Sequence, residues 1–365
     1  MRVLVTLPWG ENLGGAESML AQILDGGATD EIELVFFQDG PWPAELAAAD
    51  YRVEVIPSGR VREVHKAARA VAALAALLRR RRPDVLLNWM PKTQLYGAPA
   101  ATLARTATRV VWWQHGITTG HWTDRAATAL PAFAVGCSSQ AAARAQEQLR
   151  PRRSTFVVAP GTPAPSVSER PAPLADANGV PVVGILGRLQ PWKGQDRLLR
   201  AQALLRDRGV RFHLLIVGGD AYGLSPEYAR SLPQIVHELG LGDAVTMTGH
   251  VDDAGPWIRR MDVLANASEA EPFGIVLLEA MARGVPVVAV GAGGPTEIVQ
   301  DGVTGVLARS GEPAALADAL QPLLASAQVR EEMGRHGLER HDALYTDEAM
   351  RARFWAAMRR VAEGS

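Results

Sequence analysis

Short apolar runs alternate with longer amphipathic segments along this 365-residue chain. Such alternation predicts parallel β-sheets with helices on both faces. In the first part of the chain the predicted strands are residues 3–7, 32–37, 53–57, 84–89, 109–115, 133–139 and 155–160. The predicted helices between them include residues 16–24, 64–80 and 139–149.

The same pattern restarts after a segment, residues 161–180, that is rich in Pro, Ala and Ser and lacks periodicity, as a linker does. Here the predicted strands are residues 181–188, 212–219, 244–250, 262–268 and 286–290. The predicted helices are residues 195–208, 227–239, 274–283, 313–325, 329–336 and 346–361. We therefore expect two doubly wound domains facing each other across a cleft, with ligands bound at the carboxyl ends of the strands.

The predicted domains are residues 1–165, residues 166–345 and a final helical segment, residues 346–365. The final helix carries an apolar stripe at near-helical spacing, which has to be covered. We expect it to cross back and pack on the first domain. The stripe consists of Met350, Phe354, Trp355, Met358 and Val361.

Composition and charge exclude several classes of protein and site. The net charge is -1, whereas a general nucleic-acid binder is usually strongly basic. The single cysteine, Cys137, excludes an internal disulfide framework and a Cys-based zinc site, and it suits a reducing cytosol. The chain opens on a strand-like segment without an apolar signal core, and no apolar run approaches the ~20 residues that span a bilayer. We expect a cytoplasmic protein without nucleic-acid partners.

Four consecutive arginines, Arg79, Arg80, Arg81 and Arg82, end the predicted helix 64–80. Cations are favourable in the last turn of a helix, so a solvated helix end explains them. A weak peripheral contact with anionic lipid at the inner face of the membrane is the alternative.

Three motifs carry candidate chemistry. The first is the loop LPWGENLGGAES, in which Gly14 and Gly15 precede a helix. A glycine loop at a helix N-terminus suits a phosphate, although such a turn is also common for structural reasons. The loop lacks the GxGxxG spacing of dinucleotide-binding enzymes, which disfavours a dehydrogenase.

The second motif, GRLQPWKGQDRLL, follows the first strand of the second domain. Its two cations, Arg188 and Lys193, flank a short loop that opens the next helix. Together they form a candidate diphosphate site, because Arg grips phosphate in a fork and Lys supplies a point charge. A solvated loop with incidental charges is the alternative.

The third motif is SEAEPFGIVLLEAMARGVPVVA. Glu271 lies in the loop after a strand, and Glu279 lies within an otherwise apolar and therefore buried helix. A buried carboxylate is costly without hydrogen-bond donors, and sugar or ribose hydroxyls are suitable donors. A structural Glu paired within the protein is the alternative.

Together these motifs resemble glycosyltransferase family 4, the retaining GT-B enzymes that use nucleotide sugars. The resemblance rests on GGAE, GRLQPWKG, EPFGIVLLEAMARGVPVVA and GGPTEIVQDGVTGVL. It implies that Arg188 and Lys193 hold the donor diphosphate, that Glu279 binds the ribose and that Glu271 contacts the sugar hydroxyls. His115 matches the family's cleft histidine, and a core histidine is the alternative. The implied catalytic residues are His115, Arg188, Lys193 and Glu271. The implied donor-binding residues are Gly14, Gly15, Arg188, Lys193, His250, Glu271, Phe273, Gly274, Ile275 and Glu279.

The first domain departs from a strict family pattern. It carries several tryptophans near predicted cleft loops, among them Trp112, Trp113 and Trp122, whose faces suit a sugar or cyclitol ring unless they pack in the core. The acceptor-binding candidates are Trp9, Glu11, Asn12, Trp89, Lys92 and His121.

The expected partners are a nucleoside diphosphate sugar and a hydroxyl-bearing acceptor. The chain contains no Asp-x-Asp triplet, so we expect neither a metal nor another cofactor and assign the metal's role to the two cations. The sequence GRLQPWKGQD is more similar to the corresponding motif of UDP-sugar users than to that of GDP-mannose users, which favours a UDP-sugar as the donor. Two other functions remain open: a sugar-nucleotide epimerase of the same fold, and a catalytically silent nucleotide-sugar binding protein.

Overall fold

The chain divides into two units. Unit 1 comprises Met1–Pro160 together with Asp347–Ser365, and unit 2 comprises Gly161–Thr346. A computed structural model describes residues 1–12, 14–27, 31–59, 63–174, 179–220 and 223–364. Each unit is built on one parallel sheet.

Unit 1 contains a seven-stranded parallel sheet in the order β3-β2-β1-β4-β5-β6-β7. Its strands are β1 (Val3–Leu7), β2 (Ile32–Phe36), β3 (Arg52–Val55), β4 (Val85–Asn88), β5 (Arg109–Gln114), β6 (Ala134–Cys137) and β7 (Thr155–Val157). Its helices are α1 (Gly15–Leu24), α2 (Pro41–Ala48), α3 (Val64–Arg81), α4 (Pro91–Ala104), α5 (Trp122–Ala129) and α6 (Gln140–Gln148). The strand order reverses between β1 and β4, which pair from Val3 opposite Val85 onward.

Unit 2 contains a six-stranded parallel sheet in the order β10-β9-β8-β11-β12-β13. Its strands are β8 (Val182–Leu186), β9 (His213–Val217), β10 (Val245–Met247), β11 (Val263–Asn266), β12 (Val287–Val290) and β13 (Gly305–Ala308). Its helices are α7 (Gln195–Asp207), α8 (Pro226–Glu238), α9 (Gly255–Ile258), α10 (Ile275–Met281), α11 (Pro295–Ile298), α12 (Pro313–Ala325) and α13 (Ala327–Leu344). The strand order reverses between β8 and β11.

Helices cover both faces of each sheet, so the central strands are buried on both sides. All five residues of β1 are buried, as are all four of β4, β11 and β12. The predicted doubly wound architecture is therefore confirmed in each unit.

The last helix, α14 (Asp347–Glu363), belongs to unit 1. Met350, Phe354 and Met358 are fully buried in the same core cluster as residues of β1, β4 and α1. The Arg109 guanidinium of β5 donates to the carbonyl oxygen of Val361 over 2.6 Å. The expectation that this helix crosses back to the first domain is thus confirmed.

The arginines at the end of α3 contact their own chain. Arg80 and Arg81 lie 3.5 and 3.3 Å from the carboxylates of Glu54 and Glu33. Arg79 donates to the carbonyl of Leu103, and Arg82 closes the helix with a left-handed backbone at φ 50°. Within the described residues, no helix combines the length and apolar character needed to cross a bilayer.

Candidate functional site

Each sheet has one point at which the strand order reverses, and ligands of doubly wound sheets bind beyond the carboxyl ends of the strands there. In unit 2 this point lies between β8 and β11. The second motif follows β8, and the third follows β11. The topology therefore brings the two motifs to one edge of the sheet.

Lys193 and Glu271 meet across this point. The Lys193 ammonium lies 2.7 Å from Glu271 Oε2, and the two side chains are only 16% and 8% exposed. The amide of Asn266, the last residue of β11, donates to the same carboxylate over 3.2 Å. The ammonium also lies 4.1 Å from the centre of the Trp192 ring, a cation–π distance. The two predicted residues thus form one ion pair that fixes the loop after β8 to the loop after β11.

Arg188 is held differently. Its backbone carbonyl accepts a hydrogen bond of 3.0 Å from the amide of the buried Gln195, at the start of α7. No described residue forms a hydrogen bond or an ion pair with its guanidinium. The side chain follows Gly187, whose φ of 144° favours glycine. The fold therefore fixes the Arg188 backbone and leaves a half-buried cation beside the point between β8 and β11 where the strand order reverses. We call this point the switch point of unit 2.

Two glycines shape the loop that carries Glu271. Gly274, at the start of α10, has a φ of 104°. A Cβ atom on Gly294 would lie 2.1 Å from the Cα of Phe273, and the Gly294 amide donates to the carbonyl of Glu271 over 2.9 Å. The backbone of the predicted donor residues Phe273, Gly274 and Ile275 is thus packed closely against the segment that opens α11.

Glu279 lies in the middle of α10 beside Arg283. Burial raises the pKa of Glu279, the positive charge of Arg283 opposes that shift, and Asp253 adds to it. The Arg283 guanidinium is engaged by another carboxylate, since it lies 2.9 and 2.6 Å from the two oxygens of Glu169. Glu169 in turn has a lowered pKa, mainly because of its hydrogen bond with Arg283. No described residue donates a hydrogen bond to the Glu279 carboxylate, so its hydrogen-bonding capacity is available to a ligand.

His250 lies beyond β10 with its side chain 79% exposed. A Cβ atom on Gly219, just after β9, would lie 3.0 Å from the His250 backbone nitrogen. The structure thus places the His250 backbone next to the end of β9, on the same sheet edge as Arg188.

The reversal point of unit 1 lies between β1 and β4, and the glycine loop follows β1. Gly14 precedes α1 with an extended backbone, so its conformation does not itself require glycine. Gly15 is the exposed first residue of α1. The indole of Trp9 donates to the buried carboxylate of Glu17 over 3.0 Å. The backbone N–H groups in the first turn of α1 thus lie beside the Glu17 carboxylate, which already accepts a hydrogen bond from Trp9 in the loop.

His115 directly follows β5 and contacts two tryptophans. Its ring centre lies 4.7 Å from that of Trp89 and 6.3 Å from that of Trp113. Its Nδ1 lies 2.9 Å from Ser138 Oγ, whereas its buried Nε2 has no hydrogen-bond partner among the described residues. Burial lowers the pKa of His115 to about 3, so the imidazole is neutral at physiological pH.

The acceptor candidates of unit 1 lie in different environments. Trp89 is fully buried and donates to the Ala16 carbonyl over 3.0 Å, so its ring is part of the core instead of a face for a sugar. Lys92 lies in the first turn of α4, and burial lowers its pKa. Trp112 and Trp113 are buried core residues, whereas Trp122 is 56% exposed. Glu11 is half-buried, and Asn12 and His121 are exposed.

Asn266 and Ser138 were missed by the sequence reasoning. Each is a polar residue at or just after the end of an apolar strand, and that position was visible in the sequence. The sequence does not show which side chains Asn266 and Ser138 contact, because those contacts depend on the order of the strands in each sheet.

The sequence profile described as Glycosyl transferases group 1 matches residues 168–340, which cover the switch point of unit 2. Over residues 168–340, just under half of its length, the chain is therefore similar to the glycosyl transferases group 1 family. The resemblance seen in the motifs is therefore confirmed for the part of the chain that carries Arg188, Lys193, Glu271 and Glu279.

Curated relatives match the chain over part of their length. A D-inositol 3-phosphate glycosyltransferase of Nocardia farcinica is 40% identical over 167 residues, which cover 45% of this chain and 37% of the relative. One of Geodermatophilus obscurus is 36% identical over 230 residues, covering 59% and 50%. The chain thus spans half or less of these curated relatives.

Two solved structures share the fold over nearly the whole chain. Anabaena HepE in complex with UDP and glucose superposes with a TM-score of 0.84 at 27% identity, covering 98% of this chain and 99% of HepE. Sucrose-phosphate synthase of Thermosynechococcus elongatus has a TM-score of 0.82 at 22% identity, with complete coverage of both chains. Units 1 and 2 therefore have the GT-B fold that the motifs implied.

Proposed function

We propose that the chain is a retaining glycosyltransferase that moves a sugar from a nucleoside diphosphate sugar to a hydroxyl group of an acceptor. The observation that carries the proposal is the arrangement at the switch point of unit 2. There the Lys193–Glu271 pair, the Arg188 guanidinium and the Glu279 carboxylate follow neighbouring parallel strands, and neither Arg188 nor Glu279 has a side-chain partner among the described residues. These are the groups needed to hold a diphosphate, a sugar and a ribose.

The chemistry of the transfer explains the two cations. Breaking the bond between the anomeric carbon and the diphosphate leaves negative charge on the diphosphate and positive charge on the sugar. Arg188 and Lys193 stabilise the negative charge, and fixed groups of this kind contribute ~2.7–4 kcal/mol each to the transition state in mutational tests. Their positive charge lets the diphosphate depart without a divalent cation.

We assign the donor to the UDP-sugars. Anabaena HepE was solved with UDP-glucose as well as with UDP, and it matches this chain at 26% identity over 98% of its length in that complex. The Glu279 carboxylate would accept hydrogen bonds from the ribose, and the backbone of His250 would lie beside the base.

We assign the acceptor to unit 1. The first turn of α4 offers Lys92, and the exposed Trp122 and His121 lie at the start of α5. The curated relatives are named for an inositol phosphate, and a half-buried cation suits an acceptor with an anionic group. A small molecule, a glycolipid and a saccharide all provide the hydroxyl that the reaction requires.

Retention of the anomeric configuration follows the family resemblance. We assign front-face attack by the acceptor hydroxyl, with the departing phosphate as the base. Glu271 is the nearest carboxylate candidate for a covalent nucleophile, but its oxygen is engaged by Lys193 and Asn266, which lowers its nucleophilicity.

The proposed site of action is the cytoplasm. The only cysteine, Cys137, is fully buried, and burial raises the pKa of its thiol to about 12. A peripheral membrane contact through α3 would have to compete with the ion pairs of Arg80 and Arg81, so vesicles of anionic lipid should retain the protein weakly and only at low salt.

A screen of donors and acceptors tests the proposal. The protein is incubated with UDP-, GDP- and ADP-sugars, with and without inositol phosphates, glycolipids and saccharides, and the released nucleoside diphosphate is measured. Release that depends on an acceptor, together with a product of retained anomeric configuration by NMR, is expected. An epimerised sugar nucleotide without acceptor-dependent release would indicate the epimerase, and binding without turnover would indicate a silent binding protein.

A further inference from the structure

Arg283 lies four residues after Glu279, a spacing at which glutamate and arginine commonly form an ion pair on a helix. Arg283 instead donates to the backbone carbonyl of Glu279 over 2.9 Å. Among the described residues, the Glu279 carboxylate forms no ion pair with Arg283 or with any other cation. This half-buried carboxylate is therefore open to a ligand although a guanidinium lies close to it.

The Arg283 guanidinium is turned toward Glu169. Arg283 Nε donates to Glu169 Oε1 over 2.9 Å, and Arg283 Nη2 donates to Glu169 Oε2 over 2.6 Å, so both carboxylate oxygens are bound in a fork. The two side chains are only 12% and 8% exposed, and salt screens such a pair weakly. Gly255 allows this close approach, because a Cβ atom there would lie 2.3 Å from Glu169 Oε2 and 2.5 Å from Arg283 Nη2.

Glu169 is the stronger of the two carboxylate partners near Arg283. Arg259 Nε also donates to Glu169 Oε1, over 2.7 Å, so the carboxylate binds two arginines. The hydrogen bond with Arg283 is the main reason that the pKa of Glu169 is lowered, whereas burial raises the pKa of Glu279. Glu169 is thus ionised more readily than Glu279 and holds the guanidinium.

The backbone that carries Glu169 is fixed, although the sequence predicts only a linker at residues 161–180. The Ala172 amide donates to the carbonyl of Pro256 in α9 over 2.8 Å, and the Arg260 guanidinium donates to the carbonyl of Ala172. The Glu169 amide donates to the carbonyl of Ser166 over 3.0 Å. All of these residues belong to unit 2, so this unit itself holds Glu169 beside Arg283.

We propose that Glu169 is a positioning residue that holds the Arg283 guanidinium away from Glu279, so that the Glu279 carboxylate stays free to accept hydrogen bonds from the ribose of the donor. The contact with the ribose rests on the proposed function, whereas the competition of two carboxylates for Arg283 does not. Glu169 acts through Arg283 and needs no contact with the substrate.

Titration with UDP at pH 8 tests the role of Glu169. Glu169→Gln keeps the shape of the side chain but removes its charge, so Arg283 should pair with Glu279. UDP should then bind ~10-fold more weakly, because the ribose competes with a charged hydrogen bond. The double variant Glu169→Gln/Arg283→Gln also lacks the competing guanidinium and should regain the wild-type affinity.

This recovery separates positioning from a structural role. If the Glu169–Arg283 pair only maintained the fold, the double variant would bind UDP no better than Glu169→Gln, and that result would overturn the proposal. Arg283→Gln alone should bind UDP as the wild type does. Loss of UDP affinity in folded Arg283→Gln would overturn the proposal even if Glu169→Gln fails to fold.

Arg259→Gln is the matched control. It removes the other arginine that binds Glu169 and leaves the fork between Glu169 and Arg283 in place. UDP affinity should therefore remain at the wild-type value. A loss as large as that of Glu169→Gln would show that any disturbance of this cluster weakens binding, and it would overturn the specific role of Arg283.

Carbon-13 NMR of the glutamate carboxyl groups tests the competition without any ligand. The spectrum of Glu279→Gln identifies the Glu279 signal, and a pH titration gives its pKa. This pKa should be lower in Glu169→Gln than in the wild type, because Arg283 then pairs with Glu279 while Asp253 remains beside it. An unchanged pKa in folded Glu169→Gln would overturn the proposal. A lowered pKa in a protein that does not bind UDP would support the competition and count against the proposed function.

Discussion

At the residue scale, the two cations of unit 2 are held in different ways. Lys193 is paired with Glu271, whereas the Arg188 guanidinium has no partner among the described residues. Arg188→Ala should therefore lower kcat by ~10²-fold or more with little effect on the melting temperature, because only the transition-state contact is lost. Lys193→Ala should cause a similar loss of kcat and also lower the melting temperature, since Glu271 loses its partner.

Arg200 provides a matched control for both variants. It is an exposed arginine of the neighbouring helix α7, so Arg200→Ala should leave kcat and the melting temperature unchanged. Near-normal rates in both Arg188→Ala and Lys193→Ala would refute the assignment of the diphosphate site.

Glu279 should be a functional residue that reduces the stability of the ligand-free protein. Because burial raises its pKa above the ordinary 4.5, folding disfavours the ionised form. This cost is absent below pH 4.5 and grows as the pH rises through the raised pKa. Glu279→Gln should therefore be more stable than the wild type at pH 8 without nucleotide, and the difference should disappear near pH 4. Melting curves at the two pH values measure it, and lower stability of the variant at pH 8 would indicate a structural Glu.

His115 should make the protein sensitive to acid. Its pKa is lowered from 6.5 to about 3, so the stability that the neutral ring provides is complete above pH 6.5 and is lost as the pH falls from 6.5 towards 3. The loss is at most about 1.4 kcal/mol per pH unit. Urea unfolding at pH 7.5, 5.5 and 4.5 should show the wild type losing more stability than His115→Gln, and parallel losses in the two proteins would contradict the assignment.

At the element scale, the sequence predicted the strongly apolar strands, but it did not identify β13 or the helices α2, α4, α5, α9 and α11. Helix α4 has the sequence PKTQLYGAPAATLA, with Pro99 inside and little segregation of apolar residues, so its periodicity is weak. Packing defines this helix, because Tyr96 and Ala100 are buried in one cluster with Leu74 and Leu78 of α3. Strand β13 is four residues long and exists through its pairing with β12.

The loop after β11 should depend on the absence of a side chain at Gly294. Its backbone is in the ordinary helical region at φ -59°, so the only obstacle to alanine is the contact with Phe273. Gly294→Ala should cost about 1–3 kcal/mol of stability, as overpacked sites do, and it should weaken nucleotide binding by displacing Glu271.

Gly242→Ala is the matched control, because a Cβ atom there would meet nothing within 4 Å. Denaturation curves and UDP affinity of the two variants provide the comparison. Equal behaviour of Gly294→Ala and Gly242→Ala would contradict the tight packing of this loop.

At the scale of the whole molecule, the chain passes between the units twice, at Pro160–Gly161 and at Thr346–Asp347. The segment after the first crossing is fixed to unit 2, because Glu169 pairs with Arg259 and Arg283. The second crossing leads into α14, which completes the core of unit 1.

Unit 1 should depend on α14 for its stability. The Phe354 side chain is fully buried and its ring centre lies 5.9 Å from that of Trp113. Phe354→Ala should cost about 3–5 kcal/mol, whereas Arg359→Ala on the exposed side of α14 should cost little. Chemical denaturation followed by tryptophan fluorescence measures both, and equal stabilities would contradict this packing.

The sequence predicted the candidate site better in unit 2 than in unit 1. In unit 2 the charged residues lie within two continuous motifs, each directly after a predicted strand, so the motifs and the family resemblance identified Arg188, Lys193, Glu271 and Glu279 as candidates. In unit 1 the site depends on which side chains fill the core. Trp89 was predicted to face an acceptor and is instead buried, because a tryptophan directly after a central strand fills the space beneath α1.

Titration of UDP into the protein in the presence of EDTA tests the central claim, that the switch point of unit 2 is a metal-independent nucleoside diphosphate site. The wild type should bind UDP, Glu279→Gln should bind it at least ~10-fold more weakly because the ribose loses a charged acceptor, and Glu271→Gln should bind it nearly as the wild type does while kcat falls. Loss of UDP affinity in Glu271→Gln but not in Glu279→Gln would reverse the two roles. Failure of the wild type to bind any nucleoside diphosphate, or binding that requires added magnesium or manganese, would contradict the account.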